Sequence, residues 1–108
     1  MAAESRRAVR FPIKARAVYK WVDQAGRQHV EEGRTLNISE TGALVSSLDG
    51  PPPTGANLQL KFFLPPVSPK LPGVTMLMDG RVVRIEESER LNCTHRFAVE
   101  SHATRLEE

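Results

Sequence analysis

The chain has 108 residues, 40% of them hydrophobic and 26% charged, a balance that favours one globular domain and excludes a disordered chain. No stretch of about 18 apolar residues occurs, which argues against a membrane-spanning helix, and nothing resembles a signal peptide. The single cysteine, Cys93, excludes an intrachain disulfide and fits a reducing compartment, so we expect a cytoplasmic protein.

The net charge of +2 is unevenly distributed along the chain. The first 20 residues carry six basic groups against one acid, Glu4, for a local charge of +5, so the remaining 88 residues sum to −3. Arg6, Arg7 and Arg10 form the densest part of this cluster. Guanidinium groups this close repel one another unless solvent, carboxylates or a bound anion compensates them. The asymmetry favours a local anion site over a general nucleic-acid surface.

Apolar and polar residues alternate with a period of two over most of the chain, which predicts β-strands. "DQAG", "SETG", "DGPPPTG" and "PPVSPKLPG" separate the alternating segments and predict turns or loops, and seven of the eight prolines lie between positions 51 and 72. Residues 87–92 are predicted to form a further turn. The predicted strands cover residues 13–21, 28–32, 34–38, 43–48, 58–64, 75–86 and 95–100.

Six or seven short strands with almost no helical period predict an all-β domain, either a small antiparallel barrel or a sandwich. Only "HATRLEE" near the C-terminus could begin a helix, and it is too short to be stable alone. The pattern divides the chain into a flexible basic N-terminal arm (residues 1–12), a β-domain (residues 13–103) and a C-terminal tail (residues 104–108).

Two polar motifs stand at places where ligands commonly bind. The first is Arg6-x-x-x-Arg10, just before the first predicted strand, and the second is "NISETG", from Asn37 to Gly42, at a turn between two strands. Taken separately, the first is typical of a solvated basic terminus and the second of a serine or asparagine turn that satisfies its own backbone. Their occurrence together on a β-rich chain of this size favours a shared ligand site.

In this order the two motifs resemble the signature of the PilZ domain family, RxxxR followed by [D/N]xSxxG. "RVVRIEE" and "RFAVES" also resemble the closing strands of that domain. The resemblance covers most of the chain and implies a six-stranded antiparallel β-barrel. It further implies binding of the bacterial second messenger cyclic di-GMP, with no resident cofactor and no catalytic activity.

The chemistry of the ligand agrees with these residue types. Guanidiniums can fork onto guanine O6 and N7, stack on a base or pair with a phosphate. The Asn37 amide can bond a guanine edge, the Ser39 hydroxyl can donate to phosphate or base, and Gly42 allows a close approach that a Cβ would block. The family often has aspartate where Asn37 stands. The predicted ligand-binding residues are Arg6, Arg7, Arg10, Asn37, Ser39 and Gly42.

These observations predict a receptor that binds cyclic di-GMP and signals to a partner protein, such as motility, secretion or polysaccharide machinery. One alternative is a PilZ-like interaction module that does not bind nucleotide. Another is a barrel that binds single-stranded nucleic acid, but only 6% of residues are aromatic and the positive charge lies at one end of the chain, which disfavours it.

Other chemistry-bearing residues do not form a catalytic or metal pattern. His29, His95 and His102 lack metal-ligand spacing with one another or with Cys93. Ser39 has no histidine and acid positioned near it in sequence, so we expect no nucleophilic catalysis. Tyr19 and Trp21 lie on one face of the first strand and are expected to pack in the core or in the hairpin rather than to stack on bases.

Overall fold

A computed structural model of the chain describes residues 11–47, 50–66, 73–86 and 95–107. These residues form six strands that close into one barrel in the order β1-β2-β3-β6-β5-β4, with every neighbouring pair antiparallel. The all-β, six-stranded antiparallel barrel is therefore confirmed. The strands are β1 (Arg16–Val22), β2 (Gln28–Ser39), β3 (Gly42–Ser47), β4 (Asn57–Leu64), β5 (Val74–Glu86) and β6 (His95–Glu107).

One core fills the barrel, as strand alternation predicts. Side chains on successive residues point to opposite faces of a strand, and most of the inward positions are apolar, with Thr35 and Ser47 as buried polar exceptions. Tyr19 and Phe97 meet edge to face inside the barrel, with ring centroids 5.1 Å apart, and the Tyr19 hydroxyl donates to Ser47 Oγ at 2.8 Å. Tyr19 is fully buried, which confirms its predicted packing role and removes it as a platform for bases. The other fully buried core residues include Phe62, Leu60, Met78, Val45 and Val82.

The segment 28–39 is one continuous strand, whereas the sequence predicted two strands separated at Gly33. Gly33 is needed there for close approach rather than for a turn. A Cβ on Gly33 would overlap the carbonyl oxygen of Ser46 on the neighbouring strand β3. A glycine in the middle of a strand marks such a close backbone contact as often as a break.

The short C-terminal helix that "HATRLEE" could begin does not form, because β6 continues to Glu107. Its second half pairs with the first half of β5, in register from Thr75↔Glu107 to Asp79↔Ala103. Residues 104–107, assigned above to a tail, are thus strand. Pairing with a long neighbour outweighs the helix propensity of a short segment. The described part of the chain contains no helix that is long and apolar enough to cross a membrane.

Thr35 fixes the segment that precedes β1. Its buried hydroxyl accepts a hydrogen bond from the Ala15 backbone N–H at 2.8 Å and donates to the Ile13 carbonyl at 2.6 Å. The Ala15 carbonyl also accepts the Thr35 backbone N–H at 2.9 Å. Residues 13–15, predicted as the start of the first strand, are thus attached to β2 mainly through Thr35, and β1 begins at Arg16. This contact holds the chain that follows the N-terminal arm against β2.

The hairpin between β1 and β2 is organised by Asp23. Its carboxylate accepts backbone N–H bonds from Ala25 and Arg27, both at 2.9 Å, and a bond from His29 Nε2 at 2.8 Å. The His29 ring also stacks on Trp21, with centroids 4.2 Å apart. The bond from His29, followed by the bond from the Arg27 N–H, lowers the pKa of Asp23 from its ordinary value of 3.8.

We expect this carboxylate to stabilise the fold near neutral pH and to lose its effect in acid. A lowered folded-state pKa contributes stability above the unfolded-state pKa, and that contribution disappears as pH falls through the folded-state value. Asp23→Asn should therefore be less stable than the unaltered protein at pH 7, with the difference shrinking as pH falls below about 4. Urea unfolding, followed by the fluorescence of Trp21, measures the free energy of unfolding of the variant and of the unaltered protein at each pH. Glu40→Gln, at an exposed turn, is the control, and a constant difference across pH would contradict the expectation.

Candidate functional site

The second motif forms the end of β2, a tight turn and the start of β3. Ser39 pairs directly with Gly42, so Glu40 and Thr41 make a two-residue connection. The Ser39 side chain is only 9% exposed. Its hydroxyl accepts the Thr41 N–H at 3.2 Å and lies 3.1 Å from Thr41 Oγ1. In this structure the hydroxyl therefore stabilises its own turn, as the local-turn alternative predicted.

Gly42 is required for the packing of β3 against β6. A Cβ at this position would overlap the carbonyl oxygen of Val99, and no side chain can be accommodated without moving one of the two strands. Gly42 is not among the described glycines with positive φ. The requirement for glycine is thus the close approach between two backbones within the barrel.

The base of the N-terminal arm is attached to the same motif. The Phe11 N–H donates to the Ile38 carbonyl at 2.8 Å, and the Ile38 N–H donates to the Phe11 carbonyl at 2.9 Å. Ile38 lies between Asn37 and Ser39, so residue 11 is fixed at the start of the motif. The predicted ligand residues Arg6, Arg7 and Arg10 lie outside the described residues.

A cavity of about 190 Å³ opens on the outer face of the barrel beside the motif. Asn37, Ser39 and Gly42, the three described residues of the predicted site, all line it. We call it the motif cavity. The opposite wall comes from β5 and β6, and includes Val83, Arg84, Ala98 and Glu100.

The charged side chains of that wall are balanced in pairs. Arg84 Nε donates to Glu86 Oε2 at 2.9 Å, and Arg81 lies 3.5 Å from Glu100. All four side chains are partly or largely exposed, between 31% and 56%. Each exposed pair contributes little to stability, on the order of 0–1 kcal/mol. Together with Arg96, which lies 3.7 Å from Glu86, these groups leave the β5–β6 wall with little net charge. The motif opposite this wall contains a single acid, Glu40.

The sequence motifs did not identify Arg84 and Glu100 as site residues. These two residues belong to strands β5 and β6, far along the chain from the motif, and only the pairing order of the barrel brings them beside Asn37. A signal was present in "RVVR", because Val82 and Val83 interrupt the alternation of the strand. That interruption corresponds to an irregularity in the β5–β6 register between Val82 and Arg84.

The remaining candidate residues take structural positions. Trp21 stacks on His29 and its indole N–H donates to Glu31 at 3.3 Å. His102 is exposed near the bulge of β6, where the register with β5 shifts. Among the described residues, no group of three or more histidines, cysteines, aspartates and glutamates could hold a metal ion.

A closed six-stranded antiparallel barrel with a polar cavity at its β2–β3 turn defines a small all-β barrel domain. The PilZ domain family model matches residues 4–107. The chain therefore belongs to the PilZ domain family. No curated protein sequence is significantly similar to it.

Several solved structures are similar to this chain, among them the two that follow. The Bacillus subtilis inhibitor of motility (MotI/DgrA) is similar with a TM-score of 0.68 and 20% sequence identity, over 93% of this chain and 44% of that one. The PilZ domain of YcgR from Escherichia coli, solved with c-di-GMP, is similar with a TM-score of 0.64 and 13% identity, over 92% of this chain and 79% of that one. The chain thus spans less than half the length of the motility inhibitor.

Proposed function

We propose that this protein is a non-catalytic receptor for cyclic di-GMP that signals to a partner protein. The arm supplies cations, and the β2–β3 turn supplies polar groups and a close backbone approach. The YcgR domain of the same fold is solved with c-di-GMP, which supports this ligand class. The residues proposed to form the site are Arg6, Arg7, Arg10, Asn37, Ser39 and Gly42.

The observation that carries the proposal is the bridge between Phe11 and Ile38. Because consecutive Cα atoms are about 3.8 Å apart, the Cα of Arg10 is about that far from the Cα of Phe11, which is bridged to Ile38 of the second motif. Arg6 is five residues from Phe11, so its Cα lies within about 18 Å of it at full extension. Both halves of the family signature are therefore within reach of one ligand.

The size of the motif cavity indicates how the arm takes part. Its volume of about 190 Å³ is smaller than the roughly 300–1,000 Å³ of typical small-molecule sites. A cyclic dinucleotide would therefore need a second wall, which the arm can provide. The two phosphates neutralise arginines that otherwise repel one another, and this favours a closed arrangement of arm, ligand and barrel.

The ligand-bound surface is then the signal that a partner recognises. A ligand can shift a protein only by binding one state better than another, and closure of the arm over the ligand creates a surface that the free protein lacks. One neighbour in fold is an inhibitor of motility, which supports motility machinery as one partner class beside secretion and polysaccharide machinery.

Titration calorimetry with cyclic di-GMP tests the proposal. Two bidentate arginine contacts and several smaller ones predict binding near the micromolar range, equivalent to about 8 kcal/mol. The isotherm also gives the number of ligands per chain. A folded sample that releases no heat at high micromolar ligand would contradict the proposal and favour the interaction module that does not bind nucleotide.

A further inference from the structure

Four residues on four strands form one continuous row on the outer face of the barrel. Asn37 of β2 pairs with Leu44 of β3, Leu44 pairs with Ala98 of β6, and Ala98 pairs with Arg84 of β5. Directly opposed residues in antiparallel strands point to the same face. The row, which we call the outer row, spans three interstrand steps, or about 14 Å, and all four of its members line the motif cavity.

Both polar ends of the outer row lie next to an irregularity in their strand. The β2–β3 register shifts between Thr35 and Asn37, and the β5–β6 register shifts between Val82 and Arg84. A β-bulge changes the direction of the side chains beside it, and bulges are enriched next to functional sites. The two irregularities lie at the same level of the barrel, one beside each polar end of the outer row. This arrangement points to a site in which a ligand contacts both Asn37 and Arg84.

The middle of the outer row suits the flat face of a base. Ala98 is 8% exposed and Leu44 is half-buried, so the floor between the two polar ends is low and apolar. The Arg84 side chain stands at the far end, 52% exposed. Its bond to Glu86 uses Nε, one of the five N–H donors that a guanidinium carries.

The charge around Arg84 favours a neutral ligand edge over a phosphate. Glu86 bonds to Arg84, and Glu100 lines the same cavity. Glu86 lies between Arg84 and Arg96, and Glu100 is paired with Arg81, so the two carboxylates offset most of the positive charge at this end of the row. A phosphate therefore gains less here than beside unpaired arginines. A guanine edge offers two acceptors, O6 and N7, without net charge, and it is the edge that arginine binds most often.

We infer that Arg84 is a further ligand-contacting residue, which donates to O6 and N7 of one guanine of the cyclic dinucleotide while the base lies over Leu44 and Ala98. This inference rests on the proposed function. It also assigns selectivity to Arg84, because adenine presents an N6 amino donor where guanine presents the O6 acceptor. A donor facing the guanidinium leaves both groups unpaired and disfavours the adenine analogue.

Calorimetric titration of Arg84→Gln with cyclic di-GMP and with cyclic di-AMP tests the inference. We expect the affinity for cyclic di-GMP to fall about 5- to 150-fold, the range for loss of one bidentate base contact. The preference of the unaltered protein for the guanine ligand should shrink with it. Arg105→Gln is the matched control, since it removes the same charge from an exposed β6 residue bonded to Asp79. Its affinity should stay within about twofold of the unaltered protein.

The possible outcomes distinguish a failure of the inference about Arg84 from a failure of the proposed function. If the unaltered protein binds cyclic di-GMP and Arg84→Gln binds it equally well, the inference is wrong and the proposed function stands. If the unaltered protein binds neither dinucleotide, the proposed function fails and the inference fails with it.

A second measurement needs no variant and applies even if Arg84→Gln does not fold. Arginine-specific dicarbonyl modification of the unaltered protein, read by mass spectrometry, should be slowed at Arg84 by saturating cyclic di-GMP and unchanged at Arg105. Equal modification of Arg84 with and without the bound ligand would overturn the inference.

Discussion

Replacing Arg10 with alanine is expected to lower the affinity for cyclic di-GMP about 5- to 150-fold, the effect of losing one bidentate arginine contact. Arg10 directly precedes Phe11, and Phe11 is bonded through its backbone to Ile38, the second residue of the second motif. Of the three arm arginines, Arg10 is the nearest in sequence to this attachment point. Combining this change with Arg6→Ala should reduce affinity further, and calorimetric titration of each variant measures both steps.

Arg27→Ala is the matched control for the arm. It removes the same charge from an exposed residue in the β1–β2 turn, at the opposite end of β2 from the motif. A general electrostatic effect would weaken binding by similar factors in both variants and would be reduced by salt. Unchanged affinity in the Arg6→Ala, Arg10→Ala double variant would show that the arm is not part of the ligand site.

The second large effect is expected from Gly42→Ala, which should destabilise the barrel by about 3 kcal/mol. The added Cβ would overlap the carbonyl oxygen of Val99, a backbone atom that cannot rotate away. The strands must then separate where β3 pairs with β6, next to Asn37 and Ser39. Thermal unfolding should show a melting temperature lower by roughly 10–20 °C, and ligand affinity should fall in the variant that still folds.

Gly26→Ala provides the contrast. Gly26 has φ of 83° and nothing within 4 Å of an added Cβ, so alanine there meets only the cost of a left-handed backbone, roughly 1–2 kcal/mol. It is also remote from the motif, and its ligand affinity should not change. Equal destabilisation in the two variants would mean that crowding between β3 and β6 is not the reason for glycine at position 42.

The strands could be predicted from sequence because their signals are local, whereas the choice of a barrel over a sandwich came from the family resemblance. Alternation along each strand and the proline-rich segments between strands determine element type without knowledge of neighbours. Gly33 and the C-terminal segment were predicted incorrectly because their conformation depends on distant partners. The close approach of Ser46 explains the first, and the long pairing with β5 explains the second.

The candidate site was predictable only where a motif is contiguous. "NISETG" indicated Asn37, Ser39 and Gly42, and all three line one cavity. Arg84 is 47 residues further along the chain than Asn37, and its place in the same row follows from three strand pairings and two register shifts. No periodicity in a single segment contains that information.

The most direct test of the central claim is the map of backbone amide shifts in a ¹⁵N-labelled sample titrated with cyclic di-GMP. The proposed ligand site predicts that the largest changes in amide shift cluster at the β2–β3 turn and along the outer row, at Asn37, Ser39, Gly42, Leu44 and Ala98. Changes concentrated instead at the β1–β2 hairpin around Asp23, at the opposite end of β2, would contradict it.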